Sequence, residues 1–449
     1  MQLSRREVIV GGGALALLGA LSSCAAPGRA AASLDYWYYF QDLDQRNYFR
    51  KHFIDDYRGS VPVTLTVKSS ATIDQLTQVA LAAGKGPALV VTPGPSGVAA
   101  YDGAGYIAHL DDYVEQYGWD QKFSSWALDA SRVGDSLVTL PTSYESMVLY
   151  FKPEVVAQHG LTVPIDRAGF VDFCTEAKAK GLVPIAAGNA DYKGANEWYL
   201  TIALNHDAGP EAVYRALQGE TKWTDPVFVD AFQRLADDFG RGWYGGGVKS
   251  YFTNQFPKMY QQLASGEAAS MISGTWEFSN LAPYFGEGSG NSGDWDYQNV
   301  PSLRDGVGST IWDLGIGQST GVNTQSGNVP AAVEFLNFLT TDVKTITASM
   351  EAMSFQPPPI GLTRADFTAS ADPRMVRLYT ELPVATTIGY TTWTFFPQKT
   401  ETYMINEYEK VLTGSMTAAE FASGMQDIFA GELAAGSVPV APKPSELVS

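Results

Sequence analysis

The chain has 449 residues, 48 acidic against 30 basic side chains, a formal net charge of −18 at pH 7, and two cysteines. So negative a surface repels nucleic acid and phosphate-rich ligands, and it suits neutral or cationic ones. The length exceeds what one core usually fills, so two lobes are expected, and Cys174 has no second cysteine in the body of the chain to form a disulfide with.

The first segment, LSRREVIVGGGALALLGALSSCAAPGRA, has a cationic start at Arg5 and Arg6, an apolar run from Val8 to Leu21, then small residues before Pro27 and Gly28. The run is too short for a hydrocarbon core, which needs about 20 residues, and it has the layout of an export signal. Adjacent arginines favour twin-arginine export. Leu21-Ser22-Ser23-Cys24 looks like a lipobox, which would make residues 1–23 a leader, Cys24 the acylated first residue of the mature chain and residues 24–32 a tether. An ordinary cleaved signal with an incidental cysteine is the alternative.

Beyond the tether, SLDYWYYF reads as a buried aromatic strand. A helix follows, with Leu43, Tyr48, Phe49, Phe53 and Tyr57 at helical spacing. VPVTLTV is a strand, residues 73–83 an amphipathic helix stopped by Gly84, and PALVVT a short apolar strand. This alternation predicts an α/β unit around a largely parallel sheet, with ligand beyond the carboxyl ends of the strands. SLVTLP and SMVLYFKP are strands either side of TSYE, read as their link. Helices are expected at 168–180 and 227–239, with the strand PIAAGN between them. EAASMISG and LGIGQS are strands, AAVEFLNFLT is a helix, and Thr417 with Glu420 makes a capping box that starts a last helix.

The residues of familiar catalytic chemistry are sparse. His52, His109, His159 and His206 are far apart in sequence, so no metal is expected. AAGKGPA lacks the first glycine and the Ser/Thr of a phosphate loop and reads as a helix stop. No GxSxG elbow or post-strand GxGxxG occurs. No cofactor is expected. Paired carboxylates for glycoside hydrolysis stay open, because sequence does not give their separation. Aromatic side chains, by contrast, are abundant, with 10 Trp, 23 Tyr and 22 Phe, many at strand ends and in loops. Pyranose rings offer a C–H face to Trp and Tyr, and their hydroxyls need acids and amides once water is excluded.

Five segments together resemble the extracellular solute-binding proteins of ABC transporters, in particular the maltose-binding-like family. They are TIDQLTQVALAAGKGPALVV, TLPTSYESMVLYFKPEVVAQHGLTVP, LASGEAASMISGTWEFSNL, VPSLRDGVGSTIWDLGIGQSTGVNTQSGNVPAAVEFLNFLT and LTGSMTAAEFASGMQDIF, in family order. The chain departs from the family at Ala88, where Asp is usual, and at Phe151, where Asn is usual. The resemblance implies two α/β lobes of the periplasmic-binding-protein kind joined by crossing strands, with ligand in the cleft. The expected division places 33–143 and 320–375 in lobe I, and 144–319 and 376–449 in lobe II. It further implies a monomeric, non-enzymatic receptor, lipid-anchored outside the membrane, that delivers a neutral mono- or oligosaccharide to a permease.

Carried over residue by residue, the resemblance makes Trp276 the cleft tryptophan with Glu277 beside it, and Glu145 a hinge-side acid beside Tyr144. Gln41 and Asp42 follow the first strand, where the family places polar ligand contacts. Trp37 or Tyr38 would edge the cleft, alternation sending one of them to the core. Trp312 and Asp313 precede the returning strand, Asn189 and Trp198 flank a second-lobe strand and helix, and Tyr390 and Trp393 lie before the last helical pair. Ser96 stands in TPGPSG, where maltose-binding members carry a charged pair that this chain lacks. Two rivals remain: an exported glycoside hydrolase, and the same fold with a polyamine or other cation as cargo.

Overall fold

The computed structural model describes residues 33–40, 42–70, 72–95, 97–291 and 293–444; Cys24, Gln41 and Ser96 lie outside them. The chain begins with β1 (Leu34–Tyr38), β2 (Val63–Val67) and β3 (Leu89–Thr92). β1 lies between the other two and runs parallel to both, with Leu34 opposite Val63 and Tyr36 opposite Leu89. Alternating apolar residues in β1 and β2 send one face of each strand into the core, while all four residues of β3 are buried. Asp42 starts the helix Leu43–Phe49 by accepting the backbone N–H of Gln45 at 2.8 Å, and the helix widens into a π turn over Arg50–Asp55.

A small hairpin of β4 (Arg132–Val133) and β5 (Ser136–Leu137) leads into β6 (Leu140–Glu145). TSYE is therefore strand, not the link expected from sequence. Its polar side chains concealed this, because its backbone pairs with a returning strand and Ser143, Tyr144 and Glu145 are all buried. Only Ser146 separates β6 from β7 (Met147–Phe151), which belongs to a second sheet with β8 (Val183–Ala186), β9 (Ala268–Gly274) and β10 (Asp296–Asn299). Among the described residues this sheet has the order β10-β7-β9-β8, with β7 antiparallel to both neighbours. All seven residues of β9 are buried, which explains an apolar run without alternation.

The returning strand β11 (Trp312–Val322) is longer than LGIGQS suggested. It completes the first sheet, of order β12-β11-β3-β1-β2, where β12 is Ile388–Tyr390 and β6 also pairs with β11. Trp312–Leu314 run parallel to β12, and Ser319–Val322 run antiparallel to β3. The β6 register slips on both sides of Gln318. The helices expected near 168–180, 227–239 and 331–340 form over Arg167–Ala179, Pro226–Gly240 and Val329–Thr341, and the Thr417 capping box opens Ala418–Ala434. The helix Ala195–Ile202 was not read from sequence: every residue in it is buried, so it has no polar face to set a period.

Candidate functional site

A cavity of about 770 Å³ opens between the two sheets. Tyr38 of β1, Thr92 of β3, Glu145 of β6 and Gln318 of β11 line it from the first sheet; Trp198 and Glu197 of the Ala195–Ile202 helix and Trp276 after β9 line it from the other side.

The indoles form a wall. Trp198 and Trp276 have ring centroids 5.1 Å apart, and Trp393 meets Trp276 edge-on at 6.0 Å. Trp276 folds back over its own strand: a Cβ on Gly274 would stand 2.0 Å from the indole Cζ3, so only glycine admits this pose. Behind the ring, Trp276 Nε1 donates to Glu277 Oε1 at 3.1 Å, and Glu277 also accepts from Ser273 Oγ at 2.7 Å and Asn280 Nδ2 at 2.9 Å. Glu277 is fully buried, so it positions Trp276 and does not face the cavity. Burial pushes its carboxyl above the ordinary value, against four hydrogen bonds that lower it.

The opposite wall is polar aromatic. Tyr38 Oη donates to Gln318 Oε1 at 2.6 Å, and Gln318 Nε2 donates to Tyr39 Oη at 2.9 Å, while the two tyrosine rings stack at 5.5 Å. Strand alternation takes Trp37 away, where its ring lies under the Lys68 ammonium at 4.1 Å and its N–H donates to Asp35. Between the walls sits Glu145, 5 % exposed, accepting from Gln356 Nε2 at 3.0 Å. Burial pushes its carboxyl up to about 7, with the Gln356 amide and the Trp393 indole N–H pulling the other way. That indole N–H leans towards the carboxylate yet completes no hydrogen bond.

Thus Tyr38, Glu145, Trp198, Trp276 and Trp393 share one cavity. The other described candidates stand elsewhere, for visible reasons. Asp42 is occupied as a helix cap. Tyr144 alternates away from Glu145 and packs edge-on against Tyr379 at 5.3 Å. Asn189 ties Asn196 to Glu409 through its amide. Trp312 is core, and Asp313, fully buried, is held 2.9 Å from His206 Nε2. Tyr390 is buried, with its hydroxyl donating to the Pro442 carbonyl at 2.6 Å.

Sequence reading missed Tyr39, Gln318, Gln356, Glu197, Tyr192 and Glu401, which also line the cavity. Tyr39 and Glu197 each neighbour a residue that was named; Gln356 and Glu401 come from a proline-rich turn and a polar helix, with no signal in their own neighbourhoods.

A family model for bacterial extracellular solute-binding proteins matches residues 43–345. A search of curated proteins finds no match. The fold is similar to that of a chitin oligosaccharide binding protein, at TM-score 0.73 and 19 % identity over 89 % of this chain and 98 % of that one. A structure described in connection with xylan utilization by Caldanaerobius polysaccharolyticus gives TM-score 0.73 and 18 % identity over 88 % and 99 %. A sugar transporter protein from Arthrobacter chlorophenolicus A6 with bound laminaribiose gives 0.70 and 16 % over 89 % and 99 %. These likenesses show the fold, the two-lobe α/β architecture of periplasmic binding proteins.

Proposed function

The chain belongs to the bacterial extracellular solute-binding proteins, and on that premise we propose that it is the extracytoplasmic receptor of an ABC transporter for a mono- or oligosaccharide. The observation that carries this reading is the union, in one interlobe cavity, of the Trp198–Trp276–Trp393 wall with the Tyr38–Gln318–Tyr39 bridge and Glu145. Flat aromatic faces stack on a sugar ring, and amides and carboxyl oxygens take its hydroxyls. The volume falls within the roughly 300–1,000 Å³ typical of small-ligand sites. Similar structures include a chitin oligosaccharide binding protein and one with bound laminaribiose, which favours the same ligand class. Ligand touching both lobes stabilises the closed form, which the permease reads.

Binding requires no covalent chemistry. We further read Cys24 as the lipid attachment point, Arg5 and Arg6 as a twin-arginine export signal, and the receptor as a monomer. The mass of Cys24-containing peptide from the membrane fraction tests the anchor: an unmodified cysteine on protein free in the medium would remove it.

The test of the main reading is a melting-temperature screen of the mature protein against mono- and oligosaccharides. A true ligand at 100 times its Kd stabilises by about 2.7 kcal/mol. No shift with any carbohydrate would refute the reading.

A further inference from the structure

We propose that the sugar this cavity takes carries an aromatic aglycone, a single aryl ring seated in an apolar recess beside β1. The inference rests on the sugar-receptor reading above and narrows its ligand from carbohydrates to aryl glycosides.

The lining of the cavity divides by element into two chemistries. Past Tyr38 it runs on between the helix Leu43–Phe49 with its π turn and the helix Val343–Met353, where Phe40, Phe49, Phe53, Leu339, Ile346 and Phe355 line it. The charged lining residues among those described, Asp74, Glu145, Glu197 and Glu401, all come from other elements. Phe49 is the hub of the recess. Tyr38 stacks on it at 5.4 Å, Phe53 stacks at 4.6 Å, Phe40 tilts against it at 5.4 Å, and Phe355 meets it edge-on at 6.5 Å. Tyr38 belongs to both parts, its hydroxyl in the Gln318 bridge and its ring in the Phe49 stack, so a ligand that touches the bridge lies next to the recess. Apolar space left open in a protein interior stays dry and forfeits the contacts that a ring would make there.

Two observations choose an aryl group over a second sugar ring. A sugar ring brings several hydroxyls, each needing a partner once water is excluded. The polar residues of the recess are Gln45, Ser349 and Ser354, and Ser349 already donates its hydroxyl to the Ile346 carbonyl at 2.7 Å, which leaves too few partners for a whole sugar ring. An aryl ring asks for none and can join the aromatic pairs already present by face or by edge. The second observation is the turn that borders the recess. Ser354 closes the helix Val343–Met353 at φ 52°, the one non-glycine residue in the left-handed region among those described. Beyond it Gln356 reaches Glu145, and Phe355 stays half-buried on the cavity. A backbone kept in so sparsely populated a conformation points to a position maintained for function.

The test is calorimetric titration of the mature protein with matched sets of glycosides, in both anomeric forms, of glucose, galactose, mannose, xylose and N-acetylglucosamine. Each set holds the methyl glycoside, the phenyl glycoside and the 1,4-linked disaccharide. In at least one set the phenyl glycoside should bind tenfold or more tighter than its two partners, with a more negative heat-capacity change than the methyl glycoside. Phe355→Ala, which removes one wall of the recess, and Leu339→Phe, which fills it from another, should each bring the phenyl-to-methyl ratio towards one. A phenyl preference that survives both variants would place the ring on the indole wall and overturn the inference. Methyl glycoside or disaccharide binding as tightly as the phenyl glycoside in every set would also overturn it, and would leave the sugar reading standing. Failure of every glycoside to bind would overturn the sugar reading itself.

Discussion

Glu145 lies directly over Gly317: a Cβ on Gly317 would stand 2.3 Å from Glu145 Oε2 and 2.7 Å from its Cδ. The buried carboxylate keeps its place between the lobes only because β11 presents no side chain there. Ser143 Oγ, 2.9 Å from the same imagined Cβ, blocks the other way out. Gly317→Ala should therefore push Glu145 off Gln356 and weaken ligand binding by tenfold or more, about 1.4 kcal/mol. Overpacking should lower unfolding free energy by roughly 1–3 kcal/mol. Titration and urea unfolding measure the two; unchanged affinity would mean that Glu145 makes no contact with ligand.

Trp276→Ala removes the middle of the indole wall, between Trp198 and Trp393. Ligand affinity should fall by at least an order of magnitude, about 1.4 kcal/mol. Glu277→Gln is the companion variant, because Glu277 holds the ring through Trp276 Nε1 without lining the cavity. It should weaken binding less than Trp276→Ala. Equal losses in the two variants would show that Trp276 acts through its orientation more than its stacking face.

The pH dependence follows from Glu145, whose carboxyl burial pushes from 4.5 up to about 7. The folded protein holds this proton more tightly than the unfolded chain does. Its contribution is therefore most favourable at acid pH and is lost as pH rises through about 7, a span worth about 3 kcal/mol. The ligand-free protein should be more stable at pH 5 than at pH 8. Glu145→Gln should flatten that slope and be the more stable protein at pH 8. Glu197 and Glu277, also raised, keep part of the slope. A variant with the full wild-type slope would contradict the assignment to Glu145.

His206 and Asp313 are both fully buried and pair at 2.9 Å beneath β11. His206→Ala leaves an unpaired buried carboxylate and should destabilise by about 3–5 kcal/mol. Ligand affinity at a temperature where the variant is folded should stay within about twofold, because neither residue lines the cavity. Chemical unfolding and calorimetry read the two effects. Intact stability would mean that Asp313 takes its proton with it.

Much of the scaffold was legible because its elements are periodic or punctuated. The alternation in VPVTLTV, Gly84 after the helix Ile73–Ala82 and the capping box at Thr417 each carry local signals. TSYE and the Ala195–Ile202 helix lacked them, since total burial erases the polar face on which pattern reading depends. The site divides in the same way. Trp276 and Glu145 could be named because they sit in recognisable segments. Asp313, read as just before the returning strand, and Tyr390, read as before the last helical pair, looked equally open to ligand, yet a buried partner, His206 or the Pro442 carbonyl, claims each of them. Gln356 and Glu401 reach the cavity by tertiary folding alone.

The slips of register around Gln318 leave β11 with its first three residues laddered to β12 and its last four to β3. The stretch between them is held by β6 instead, Gly315 opposite Glu145 and Ile316 opposite Tyr144. Gln318 occupies the irregularity in that ladder and grips Tyr38 and Tyr39 with opposite ends of one amide. Because β1 and β11 belong to one sheet, that amide locks the two phenols to each other and to the sheet beneath them, so this wall of the cavity travels as one piece.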